Sequence, residues 1–192
     1  MTDYLKRYFE EKTTLSNEHL YAVVNCFSSF EAKKNEIVIP QNKISKNLFF
    51  VKKGCLRVVC TRDNGQEWTR QIAIENDFIT IFPSFIEQNI SASYLQAIEP
   101  SSLYYISHTD FIKLNATIPT WRMFYLNILE ATYVNSIKRI EQLITMSGKH
   151  LYDDFKNNQT ELIERLPNKV LASYLGLTQE TLSRLKAKNQ EN

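Results

Sequence analysis

The sequence predicts an α+β chain in three consecutive blocks: an N-terminal antiparallel β-roll of the jelly-roll kind, one long helix, and a C-terminal helix-turn-helix. Three observations predict it. Short β-type segments recur between turn residues over residues 36–107, an unbroken helical pattern runs from Trp121 to about Met146, and Leu166–Leu185 carries the apolar pattern of two steeply crossing helices. The expected blocks are 1–120, 121–147 and 148–192. With 43% hydrophobic residues over 192 positions, the chain has enough apolar material to fill such cores.

The first block opens with helical periodicity from about Thr2 to Ser28, including the amphipathic Asp3–Phe9. Strands are then expected at Glu36–Ile39, Leu48–Lys52, Cys55–Thr61, Trp68–Ile74, Phe78–Phe82, Ser91–Ala97 and Ser102–Ser107. Gly54 marks one tight turn. Asp63-Asn64-Gly65 marks a hairpin, because Asn-Gly accepts the positive φ angles of a two-residue type I′ loop. Short, evenly spaced strands of this number close into a sandwich or a rolled barrel.

A short helix at Thr109–Asn115 and a helix start at Pro119 introduce the second block. Over Trp121–Met146, at about 1.5 Å per residue, a helix would extend nearly 40 Å. Its apolar residues, among them Trp121, Phe124, Ile128, Tyr133, Val134, Ile137, Ile140 and Ile144, cover more than one face. One face packs on the β-roll, and the surplus predicts a second copy of the chain as partner, which makes this a dimerisation helix. Ser147-Gly148 is the expected hinge, followed by short helices at Lys149–Lys156 and Glu161–Arg165.

In the third block Leu171, Ala172 and Leu175 share one face of a first helix, Gly176 supplies a left-handed turn, and Leu177, Leu182 and Leu185 seal a second helix against it. The short Ala172 side chain suits the point where two helices cross closely. Thr178 is the expected N-cap of the second helix, which leaves Gln179, Glu180, Ser183 and Arg184 facing outward on its first turns. Arg pairs with guanine, Gln with adenine, and Glu accepts from the cytosine amino group, so these side chains are suited to read bases in a major groove. Lys169, Lys186 and Lys188, with the amides at Thr178, are expected to hold phosphates. No β-hairpin wing is expected after the second helix.

Charge and composition narrow the alternatives. A net charge of +2 rules out a generally basic coat, so attraction to nucleic acid has to be local, as in the run containing Arg184, Lys186 and Lys188 against Glu180 and Glu191. Cys26, Cys55 and Cys60 are odd in number, lack metal-ligand spacing and follow no secretory signal, which predicts reduced thiols and a cytoplasmic protein. His19, His108 and His150 are dispersed. Neither a metal site nor a catalytic cluster of acid, base and nucleophile can be assembled, so no enzyme activity, cofactor or membrane association is expected.

In this order, N-terminal helix, antiparallel β-roll, long helix and helix-turn-helix, the chain resembles the cyclic-AMP receptor protein family of bacterial transcription regulators, the Crp/Fnr superfamily. The resemblance rests on Asn47–Val58 with its strand-glycine-strand step at Gly54, on Asn76-Asp77-Phe78 where the family begins its ligand loop, and above all on Gly176–Arg184. It implies a cyclic-nucleotide-binding-domain-like jelly roll. By resemblance, Gln179, Glu180 and Arg184 take the family's base-reading positions. The sequence departs from the family where a cyclic nucleotide's phosphate would be held. Thr80 and Ile81 stand in place of a glycine-glutamate pair, Ser91 stands near the place of an arginine, and residues 76–92 contain neither Gly nor Arg. An N-terminal cysteine cluster for an iron–sulfur centre is also missing from the sequence.

The resulting expectation is a dimeric regulator that binds double-stranded DNA at a near-palindromic operator, half-sites about 34 Å apart, without dependence on cyclic nucleotides. RNA polymerase is a further candidate partner, and the effector is either an unidentified small molecule or absent. The alternative from another class is a ligand-binding or protein-interaction module whose terminal helical hairpin grips a partner protein.

Overall fold

The computed structural model describes residues 3–62 and 64–188, and they form two units: Met1–Cys60 with Gln71–Glu130, and Thr61–Arg70 with Ala131–Asn192. The first unit begins with α1 (Asp3–Lys12) and α2 (Asn17–Asn25). Strands β1 (Phe27–Ala32), β2 (Ile37–Ile39), β3 (Lys43–Ile44), β4 (Asn47–Lys53), β5 (Leu56–Thr61), β6 (Glu67–Ala73) and β7 (Phe78–Ile79) follow. After α3 (Phe82–Glu87) come β8 (Ile90–Ser91), β9 (Tyr94–Ala97) and β10 (Ser101–Ser107), then α4 (His108–Thr117) and α5 (Pro119–Thr145).

The strands form two four-stranded sheets, ordered β1-β10-β4-β7 and β2-β9-β5-β6, plus the small β3-β8 pair. Strands β1, β10, β4 and β7 pair antiparallel in the first sheet and β2, β9 and β5 in the second, with Phe30 opposite Leu103 and Val58 opposite Leu95. This is the expected β-roll. Strand β4 shows why its sequence is nearly continuous in apolar residues: Phe49 and Val51 enter the roll interior with Leu56, Val58, Ile79, Ile81, Leu95 and Leu103, while Phe50 faces the helices. On that second face Leu5, Phe9, Leu20, Phe111, Trp121 and Phe124 bury together. Phe9 meets the Trp121 ring edge-on at 5.6 Å between centroids.

Several local expectations are corrected. Helix was expected to about Ser28, yet Phe27–Ala32 is a strand, because Phe27 and Ala32 are buried while the chain pairs along β10. The expected strand Phe78–Phe82 stops at Ile79, since Pro83 in the first turn starts α3, which Gln88 ends at φ 53°. Ser91–Ala97 divides into β8 and β9, and β8 pairs with the unforeseen β3. The hairpin after β5 is wider than a two-residue turn. Arg62 N–H donates to Gln66 O at 2.9 Å and Gly65 N–H to Arg62 O at 2.8 Å, which leaves three residues in the loop with Gly65 at φ 78°. Asp63, part of that turn motif, lies outside the described residues, as does Glu191.

Gly54 behaves as expected of a turn glycine. It has φ 113°, and a Cβ there would sit 2.1 Å from Ser101 Oγ, so both conformation and space require glycine. Its N–H donates to Glu75 Oε1 at 2.8 Å.

The second unit contains the rest of α5 with α6 (Gly148–Asn158), α7 (Thr160–Arg165), α8 (Asn168–Leu175) and α9 (Gln179–Lys188). Tyr152, Phe155, Leu162, Leu166, Val170, Leu171, Ala172, Leu175 and Leu182 are buried. Ser147 caps α6 by accepting from His150 N–H at 3.3 Å. Gly148 serves close packing, for a Cβ there would lie 2.6 Å from Leu177 Cδ2.

Candidate nucleic-acid interface

Pro167 precedes α8, and Gly176 ends it at φ 72° with its N–H returned to Ala172 O. Leu177 N–H also donates to Ala172 O, at 2.9 Å, so the turn folds back over the small residue expected at the crossing. Leu171, Ala172, Leu175 and Leu182 are buried, whereas Leu177 and Leu185 are half-buried at the margin. Thr178 caps α9, accepting from Thr181 N–H at 3.2 Å. The expected helix, turn and helix are therefore present, with the expected cap.

Gln179, Glu180, Ser183 and Arg184 are all exposed on the first turns of α9, along with Thr178 and Thr181. Thr181, Arg184, Leu185, Ala187 and Lys188 line an open depression on the same helix. The Glu180 carboxyl is held below its ordinary pKa, first by its own backbone N–H, then by the Thr178 hydroxyl and the Arg184 charge. It is therefore ionised under neutral conditions and acceptor-only.

The cations divide into groups. Arg184 and Lys188 are exposed. Lys186 Nζ donates to Asn168 Oδ1 at 2.6 Å, which ties α9 back to the start of α8. Lys169 Nζ lies 3.3 Å from Glu67 Oε2 on the hairpin between β5 and β6.

Two features of this unit have no counterpart in the sequence reading. Arg139 on α5 stacks on the Tyr174 ring, 3.5 Å from its centroid, and donates to the Tyr174 carbonyl at the C-terminal end of α8. Burial lowers the Arg139 pKa, and the Tyr174 contacts oppose that shift. Trp68 rests on the turn itself, where a Cβ on Gly176 would lie 2.8 Å from its ring. Arg139 sits in an ordinary amphipathic pattern and Trp68 in an ordinary strand pattern, so periodicity carries no signal for either contact.

In the first unit, residues 76–92 are stitched into their surroundings. Thr80 is buried, and its Oγ1 lies 2.7 Å from Ser45 Oγ and donates to Asn47 O at 2.8 Å. Ser84 Oγ accepts from Ser45 N–H at 2.9 Å and donates to Asn89 O. Ile81 and Phe85 are each 1% exposed. Asp77 accepts from Ile74 N–H, and burial holds its carboxyl above the usual pKa.

On α5, Tyr133, Val134, Ile137, Ile140 and Ile144 are exposed. Their spacing puts Val134, Ile137, Ile140 and Ile144 along one side of the helix. Among the described residues no group of His, Cys, Asp and Glu is arranged to hold a metal ion, and no helix is long and apolar enough to cross a membrane.

Comparison with known proteins agrees with this architecture. Residues 29–117 match the cyclic nucleotide-binding domain family. The c-di-GMP-responsive global regulator CLP of Xanthomonas campestris superposes with a TM-score of 0.74 at 15% identity, over 92% of this chain and 92% of that one. A protein from Eubacterium rectale, described as a transcriptional regulator of the Crp/Fnr family, gives a TM-score of 0.74 at 19% identity, covering 96% and 88%. FixK2 of Bradyrhizobium japonicum gives 0.71 at 14% identity, covering 86% and 85%. No curated protein matches the sequence. The fold is thus a cyclic nucleotide-binding-type roll followed by a long helix and further helices, the fold shared with these three neighbours.

Proposed function

We propose that this chain is a DNA-binding transcription regulator of the Crp/Fnr type, acting from the cytoplasm as a homodimer on a near-palindromic operator. The observation that carries the reading is α9. Its N-terminal turns expose Gln179, Glu180, Ser183 and Arg184 beside a capped, glycine-turned junction with α8. In this reading those four side chains meet base edges in the major groove, while Thr178, Lys169, Lys186 and Lys188 fix register on phosphates.

The working division is a roll of residues 1–120, a dimerisation helix of 121–147 and a DNA-binding part of 148–192. The exposed Val134, Ile137, Ile140 and Ile144 support pairing of α5 with a second copy, since an apolar stripe of this length is costly to leave in water. Binding without cyclic nucleotide is supported by residues 76–92. The buried Thr80 and Ser84 hydroxyls are taken up by Ser45 and by the Asn47 and Asn89 carbonyls, Ile81 and Phe85 turn inward, and the segment offers no Arg or glycine amide to a phosphate. The reading is not that of an enzyme.

Selection of bound sequences from a random duplex library tests it. Recovery of a palindrome with half-sites about one helical turn apart is the expected result. Salt-insensitive, sequence-blind retention, or none, would instead favour a protein-interaction module.

A further inference from the structure

The tip of the β5–β6 hairpin belongs to the same compact unit as α8 and α9, although its strands run on into the roll. Three consecutive residues of that tip touch α8 along one line. Glu67 Oε2 pairs with Lys169 Nζ at 3.3 Å, Thr69 Oγ1 lies 2.6 Å from Ser173 Oγ, and the Trp68 ring edge lies beside Gly176, 2.8 Å from where a Cβ would sit. Positions 169, 173 and 176 are separated by four and three residues, so they form a single stripe up the helix. The neighbouring face, Leu171, Ala172 and Leu175, is committed to the core. Arg62 stacks over Trp68, 5.2 Å from the ring centroid.

In a helix-turn-helix the first helix crosses the DNA backbone. The stripe occupied by the hairpin is the one that carries Lys169, and Glu67 sets a carboxylate where a phosphate would come. One ammonium cannot serve both anions without bringing them together, and like charges at such spacing repel. We propose that the hairpin tip is an autoinhibitory latch: Glu67, Trp68 and Thr69 compete with the DNA backbone for the Lys169–Ser173–Gly176 stripe, so full affinity requires the tip to lift. The inference rests on the DNA-binding reading given above.

Two variants separate charge from contact. Glu67→Gln removes the carboxylate. Thr69→Val removes one hydroxyl and no charge, and Ser173 Oγ keeps Val170 O as its acceptor at 3.0 Å. Fluorescence anisotropy against the selected operator, over a range of salt, is the assay. Both variants are expected to bind roughly two- to five-fold more tightly, the scale of one partly exposed ion pair for Glu67→Gln and of one neutral hydrogen bond for Thr69→Val. Glu67→Gln is also expected to steepen the salt dependence by up to about one released ion, and Thr69→Val to leave it unchanged. Hydrogen exchange on the free protein supplies a readout without DNA, in which Trp68→Ala should lower protection across residues 168–176. Unchanged or weaker operator binding by both variants, with wild-type binding intact, overturns the latch alone. Failure of the wild-type chain to retain any duplex overturns the DNA-binding reading and the latch with it.

Discussion

Replacing Gly176 with Ala tests how the junction between α8 and α9 is held. Two separate costs are expected. The backbone sits at φ 72°, where an L side chain costs about 1–2 kcal/mol. The new Cβ would also lie 2.8 Å from Trp68 Cη2 and 3.2 Å from Cζ2, against 3.5 Å from Leu143 Cδ2. Leu143 is at ordinary contact distance, so the steric cost falls on Trp68, whose ring has to swing away at about 1 kcal/mol, the low end for overpacking because a ring edge can move. Together the loss should be about 2–3 kcal/mol. In a Trp68→Ala background only the backbone cost remains, about 1–2 kcal/mol, giving a coupling near 1 kcal/mol in the double-mutant cycle. Native-state hydrogen exchange over residues 168–188 measures the local opening free energy for all four proteins. Equal costs in the two backgrounds, agreeing within about 0.3 kcal/mol, would refute the contact between Trp68 and the turn.

Arg184→Ala should cost about 1–3 kcal/mol at the cognate site and relax preference mainly at one base position per half-site, whereas Lys188→Ala should weaken all sequences alike and flatten the salt dependence; competition binding against single-base operator variants distinguishes them. The chain should be dimeric at micromolar concentration by light scattering, and Ile137→Asp or Ile140→Asp should shift it towards monomer and weaken operator binding. A well-folded wild-type monomer at high concentration would contradict the role given to the α5 stripe. Cyclic AMP and cyclic GMP should show no saturable micromolar isotherm by calorimetry, and adding either should leave operator affinity unchanged. Tight binding coupled to stronger DNA retention would mean that the phosphate finds its partners outside residues 76–92.

The parts of the fold legible in the sequence are those whose signal is local and repeated. The α5 pattern recurs over many turns, and the α8–α9 pair combines a periodic apolar set with Gly176 and Thr178, each required by one backbone geometry. The exposure of Gln179, Glu180, Ser183 and Arg184 follows directly from that register. Short strands fared worse. β1 is defined by its long-range pairing with β10, and β3 by its pairing with β8, neither of which leaves a mark within a few residues of sequence. Pro83 could have signalled the start of α3, but the apolar run around it reads equally well as a buried strand. Arg139 and Trp68 illustrate the remaining limit: their partners, Tyr174 and Gly176, lie far along the chain, and only the packed unit brings them together.

The small size of the second unit gives those late contacts their importance. Its buried apolar residues are few, and a core of that size leaves little stability beyond the entropy of ordering the chain. Helix α8 is nevertheless fixed from several directions. Arg139 grips the carbonyl at its C-terminal end, Trp68 and Thr69 cover its outer stripe, and Lys186 reaches back from α9 to Asn168. A base-reading helix has to be presented in one orientation, and apparent affinity falls with the fraction of molecules that present it. The Arg139 and Lys186 ties therefore act on affinity through orientation before they act on whether the chain folds. The hairpin contacts differ from the others in also occupying the Lys169 side of α8. Loss of Arg139 should consequently weaken operator binding, while loss of Glu67 should strengthen it, although both side chains hold the same helix.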